Sequence, residues 1–164
     1  MEWKSADEFQ AALQKRERAQ KESNGANWEY DFASAAVTEA SDAKKQTVTL
    51  RYTFLPAMCN AWGYGHGGVQ TMILDHAMAS VIRNQSDHDV VLTADLQIHF
   101  LRVVRIDEPF HVRVKLERLG RSLAVMSAVA WSLDSEENCT IATGTYVLKS
   151  SDIGEIKNGT VHNQ

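Results

Sequence analysis

The stretch NAWGYGHGGVQTMILDHAMASVIRN, residues 60–84, decides the architecture of this chain. It opens as a polar loop with glycine at positions 63, 65, 67 and 68, then turns abruptly apolar. Val69, Met72, Ile73, Leu74, Ala77, Met78, Ala79, Val81 and Ile82 leave little surface for water on a helix running from about 67 to 84. A helix that is apolar nearly all round belongs at the centre of a fold, not on its outside. One carboxylate, Asp75, lies two turns in, and its helix neighbours are Thr71, Met72, Met78 and Ala79. A carboxylate on such a stripe must be paired, hydrogen-bonded or kept for chemistry.

Outward from this helix the apolar period changes to two. Upstream, Val48, Leu50, Tyr52 and Phe54 alternate with Thr47, Thr49, Arg51 and Thr53, until Pro56 forces the chain out of the ladder. Residues 29–38 are a weaker strand candidate. Downstream, Leu92, Ala94, Leu96, Ile98 and Phe100 alternate with Thr93, Asp95, Gln97 and His99. Phe110, Val112, Val114 and Leu116 do the same against His111, Arg113, Lys115 and Glu117. Residues 122–133 are apolar on both faces, and 139–148 return after a polar turn. Short links at 119–121 and 134–138 predict hairpins among the last three strands. Ser5 and Glu8 have capping-box spacing, so a helix is expected over 5–21, with Phe9, Ala12 and Leu13 as its apolar stripe. The order predicts an α+β domain, an antiparallel sheet wrapped around a long central helix. A single domain is expected over 1–164, with 1–25 as an N-terminal helical extension and 149–164 as a loose polar tail.

Composition narrows the partners. The 164 residues are 44% hydrophobic and 23% charged, with a net charge of −4. That balance gives no reason to expect nucleic acid or an anionic membrane. No apolar run approaches a membrane span, and the N-terminus lacks the basic-then-apolar order of a signal peptide, so a soluble cytoplasmic protein is expected. Asn138 and Asn158 head glycosylation-type triplets, read as chance matches in that setting. Cys59 and Cys139 are far apart, without metal-type spacing, and read as reduced thiols. The six histidines show no ligand spacing, so no metal is expected.

The loop and helix carry the chemistry. Gly67 and Gly68 let a ligand approach the backbone where the first helical N–H groups lack internal partners and the peptide dipoles favour negative charge. An ester or thioester carbonyl placed there would be polarised, and its oxyanion stabilised further. The alternative is a tight turn that needs glycine for geometry alone. For Asp75 the alternative is a structural carboxylate bonded to a loop or strand. Eight residues separate Gly67 from Asp75, roughly 12 Å along one helix. A short side chain cannot bridge that distance. If both groups act on one carbonyl, they must come from two antiparallel copies of the helix, and the site lies across a two-fold interface.

Asn60, His66-Gly67-Gly68 and Asp75, followed by Thr93-Ala94-Asp95-Leu96 on a strand ending Phe100-Leu101-Arg102, resemble the hotdog-fold acyl-CoA thioesterases. The likeness is greatest to the phenylacetyl-CoA thioesterase-like branch and covers about residues 45–148. It implies a homodimer, often paired again into a homotetramer, with acyl-CoA as substrate and no cofactor beyond the substrate's own coenzyme A. It implies Gly67 as the backbone donor to the thioester carbonyl, and Asn60 as a positioner of carbonyl or water. Asp75 of the partner chain would be nucleophile or general base, with Thr93 orienting water. His66 would fix the helix start and line the coenzyme A passage, beside Gly68. Strict alternation, however, puts Thr93 on the face opposite Leu92 and Ala94.

Several residues admit a second reading. Trp62 and Tyr64 either shape an acyl pocket or simply pack. Arg118 and Arg121, flanking the turn at Gly120, either meet coenzyme A phosphates or are solvated hairpin charges. Cys59 lacks the companions of a nucleophile, and His99 and His111 fit polar strand faces. Two rival functions share the fold. One is a non-catalytic acyl-CoA binder, a sensor or partner subunit. The other is a hydratase or dehydratase, whose His–acid pairing His66 and Asp75 do not match.

Overall fold

In the computed structural model, which describes residues 3–24, 36–86, 88, 90–132 and 137–149, the first helix begins where its cap predicts. Glu8 Oε2 accepts from Ser5 N at 2.8 Å, while Ser5 Oγ accepts from Glu8 N at 3.4 Å. Helix α1 (Ala6–Asn24) runs three residues beyond the expected end. Its Phe9 and Leu13 are buried. Part of the candidate strand at 29–38 lies outside the described residues. Among the described residues the strand there is β1 (Val37–Asp42), which runs past the expected end at 38 along its pairing with β2 (Thr47–Thr53).

The helix read from the quoted stretch is α2 (Gly67–Gln85). Four more strands follow: β3 (Val90–Phe100), β4 (Pro109–Leu119), β5 (Leu123–Ser132) and β6 (Thr140–Lys149). All pair antiparallel in one sheet of order β1-β2-β4-β5-β6-β3. The chain therefore has the α+β hotdog fold. The hairpins expected among the last three strands are present as β4-β5 and β5-β6. Only Lys149 of the expected tail lies among the described residues.

Period two puts one face of this sheet against α2. Val48, Leu50, Tyr52, Phe110, Val112, Val114, Met126 and Ala130 are buried, with Ile73, Leu74, Met78 and Ile82 of the helix packed among them. Each large side chain of this set contributes about 1.5–3 kcal/mol by leaving water. On the other face, His111 Nδ1 meets Glu39 Oε2 at 2.8 Å and its ring stacks on Trp131. Helix α1 covers the β1 edge, where Gln10 Oε1 accepts from Thr38 N at 2.7 Å and Trp3 Nε1 donates to Ser41 Oγ at 2.9 Å. Lys4 ties α1 to the end of α2, its N–H donating to Gln85 Oε1 at 2.9 Å and its ammonium to the Asn84 carbonyl.

Alternation fails in β3. The register with β6 shifts between Thr93 and Asp95, a β-bulge that turns the strand by one residue. Before the bulge, Val91 and Thr93 face α2, and Leu92 is exposed. After it, Leu96, Ile98 and Phe100 take the inner face. The expectation that Leu92 shares a face with Leu96 is thus corrected, and Thr93 is free to point at the helix.

Candidate active site

Pro56 ends the ladder as expected and starts one 3-10 turn, Pro56–Met58. The chain then folds back on itself, with Cys59 bridged to Gly65. Asn60 organises this loop: its Oδ1 accepts from Trp62 N at 3.0 Å and Tyr64 N at 3.2 Å. Its Nδ2 is therefore the group it can offer a ligand. Gly63 sits at φ +80°, a conformation that favours glycine. Gly65 is required for space, since a Cβ there would stand 2.9 Å from the buried Phe54 ring.

These turns deliver the chain to α2 with His66 as N-cap, extended at φ −63° and ψ 134°. His66 Nδ1 accepts from Gly68 N at 2.9 Å. Val69 N and Gln70 N both bond the His66 carbonyl. Among the described residues no acceptor faces the Gly67 N–H, so it is the unspent donor at the positive end of a 19-residue helix. It borders a cavity of about 390 Å³ lined by Asn60, Tyr64, Gly67, Phe100, Leu101 and Val103. Phe100 lies over Gly67, where a Cβ would meet its ring at 3.3 Å. Trp62 is 81% exposed and does not line this cavity, whereas Tyr64 does.

Asp75 stands apart from that cavity on the same helix. Thr93 Oγ1 donates to its Oδ1 at 2.8 Å, and Tyr146 Oη donates to the same oxygen at 3.0 Å. Burial, and then the Asp75 carboxylate, push the Tyr146 phenol well above its usual pKa, so it stays protonated and donates. The structure therefore brings Asp75 together with Thr93, and Gly67 together with Asn60 and His66. Within one chain it does not bring the two groups to each other.

Arg118 and Arg121 lie at the β4-β5 hairpin, where Leu148 N bonds the Ser122 carbonyl. Thr140, at the other end of β6, meets Gln70 near the helix start. Arg121, at the tip, is about eight strand residues from that end, roughly 27 Å, and Arg118, level with Thr145 through Val125, about five, roughly 17 Å and two strands away. The two arginines are thus too distant to touch a carbonyl held at Gly67 of their own chain.

Sequence reading missed two residues here. Gln70 is buried, donating to the Gly65 carbonyl at 3.0 Å and accepting from Thr140 Oγ1 at 2.5 Å, which pins the helix start. Tyr146 reads as one more apolar strand residue. The only local hint of it is Gly144 two positions earlier, which clears room for the ring.

Comparison with known proteins agrees with this fold. Residues 63–139 match the family model described as Thioesterase superfamily. Over 100 residues the chain is 30% identical to a candidate esterase of Saccharolobus solfataricus, covering 60% of this chain and 65% of that protein's length. Thioesterase superfamily member 2 of Mus musculus superposes with a TM-score of 0.69 at 12% identity, over 86% of this chain and 98% of the other. A phenylacetic acid degradation-related protein of Ralstonia eutropha gives 0.64 at 21% identity, over 79% and 97%. A Streptococcus mutans protein bound to acetyl CoA gives 0.63 at 16%, over 70% and 89%. Among the described residues no helix is long and apolar enough to cross a membrane. The likeness to the thioesterase superfamily thus runs through the loop, central helix and strands of residues 63–139, just under half of the chain.

Proposed function

We propose that the chain is an acyl-CoA thioesterase that works as a homodimer, hydrolysing the thioester to a free acid and coenzyme A. The observation that carries this reading is the unspent N–H of Gly67, a residue lining the cavity, eight residues before a carboxylate held by two hydroxyl donors. The thioester carbonyl accepts from Gly67 N–H, assisted by Asn60 Nδ2, and the developing oxyanion is stabilised by the helix terminus. Asp75 of the other protomer attacks the carbonyl carbon or takes a proton from the attacking water. Either way the C–S bond breaks and coenzyme A leaves as a thiolate that is then protonated; after direct attack, water hydrolyses the resulting anhydride, releasing the free acid and restoring the Asp75 carboxylate. Both forms need an ionised carboxylate, so turnover falls in acid.

The open edge of β3 supports the dimer. It is an eleven-residue edge strand with no lysine or proline, bonded to β6 on one side. Leu92, Phe100, Leu101 and Val103 on and just beyond it are exposed. Long unprotected edges invite pairing. Pairing two β3 edges antiparallel sets two copies of α2 side by side in opposite directions, as the 12 Å gap requires. The coenzyme A ester seen with the Streptococcus mutans relative supports the substrate class. A second pairing into a tetramer is expected from the family likeness.

A free-thiol release assay across short, long and aromatic acyl-CoAs tests the reading. Wild type releases thiol, and Asp75→Asn and Asp75→Ala lose at least about a hundredfold in kcat with the dimer intact. Full activity in either variant ends the assignment. So does tight binding of every coenzyme A ester without thiol release, which would mark a binder.

A further inference from the structure

We propose that Tyr146 is a positioning residue for Asp75: with Thr93 it ties down one carboxylate oxygen, Oδ1, and leaves Oδ2 as the oxygen that meets the substrate or its water. The inference rests on the thioesterase reading above and adds a residue to it. Thr93 and Tyr146 are direct cross-strand partners in the β3-β6 register, immediately before the bulge. That pairing sets two hydroxyls side by side on the sheet face that meets α2. Both reach the same atom, at 2.8 Å from Thr93 and 3.0 Å from Tyr146. The tyrosine is fully buried, and the other acceptor its hydroxyl meets is the Asp75 carbonyl at 3.4 Å. A buried phenol needs a partner, and among the described residues that need is met by Asp75, chiefly through its carboxylate.

The strand is built for this aim. A Cβ at Gly144 would stand 2.8 Å from Tyr146 Cε2 and 3.0 Å from its Oη, so the ring lies along β6 over a residue with no side chain. Ala124, its partner on β5, is also small. Packing needs alone would be met by phenylalanine, whereas the hydroxyl matters only toward Asp75. Two donors on one oxygen hold the carboxylate in one orientation. They spend none of the acceptor capacity of Oδ2.

Tyr146→Phe keeps the ring and removes the hydroxyl. It is expected to lower kcat by about tenfold to a hundredfold and leave KM within about twofold. Gly144→Ala, which crowds the hydroxyl without removing it, lowers kcat in the same way. A purely packing role leaves this split between kcat and KM unmoved. Wild-type kcat in Tyr146→Phe overturns the inference while leaving the thioesterase reading intact. If wild type itself releases no thiol, that reading falls, and proton NMR of the Tyr146 hydroxyl still decides this one. A protected hydroxyl resonance that shifts in Asp75→Asn supports it, and one indifferent to that substitution overturns it.

Discussion

The first two N–H groups of α2 are not equivalent: His66 Nδ1 takes the one on Gly68, while that of Gly67, a residue bordering the cavity, has no acceptor among the described residues. The cap thus starts the helix and leaves the Gly67 donor unspent. His66→Ala is expected to cost about 1 kcal/mol, read as a lowered urea midpoint, while His66→Asn restores most of it by capping from its own oxygen. Equal midpoints for wild type and His66→Ala would remove the cap from the account. His66, Gly67 and Asp75 were legible in sequence because a helix mouth and a lone acid on an apolar stripe are local patterns. Tyr146 and Gln70 were not, since their partners lie 71 and 70 positions away and nothing adjacent announces them.

At the scale of the element, α2 was readable almost to the residue, because an apolar segment of that length has few other fates. The bulge in β3 was not. A one-residue register shift depends on what β6 offers across the ladder, and alternation within one strand cannot report it. Helix α2 also carries a pH liability in His76. Burial, and secondarily Arg83, lower its pKa from 6.5 to about 4. Its Nδ1 is buried without a hydrogen-bond partner among the described residues, and Nε2 lies 3.4 Å from Ser80 Oγ. The folded state keeps the ring neutral, whereas the unfolded chain takes up a proton below pH 6.5. Stability is therefore level above about pH 6.5 and falls as pH drops from there toward 4, by roughly 3 kcal/mol across the window. Urea midpoints between pH 7 and pH 4.5 should show this slope, and His76→Gln should flatten it. An unchanged slope in that variant would assign the acid sensitivity to other groups.

For the whole molecule, the two sheet edges are treated differently, and that difference is the argument for a pair. The β1 edge is six residues long, carries Glu39 and Asp42, and lies under α1. The β3 edge is nearly twice as long and, among the described residues, unpaired on its outer side. Layer order and fold class followed from the sequence, since one central helix among period-two strands admits few arrangements. The strand order, with β3 carried past β6 to the far edge, did not, because no local pattern encodes which ladder closes last. Sedimentation at micromolar concentration is expected to give a dimer or a multiple of it. A stable monomer would leave Asp75 and Gly67 on separate surfaces with no shared substrate.

The most direct measurement is subunit complementation. Gly67→Pro removes the donor at a position where proline suits a helix start, and Asp75→Ala removes the acid. Each homodimer should be nearly inactive. Unfolding and refolding the two together makes heterodimers in which one of the two sites draws an intact Gly67 from one chain and an intact Asp75 from the other. A random mixture is then expected to regain about a quarter of wild-type activity. Activity no higher than that of the separate variants would contradict a site built from two chains.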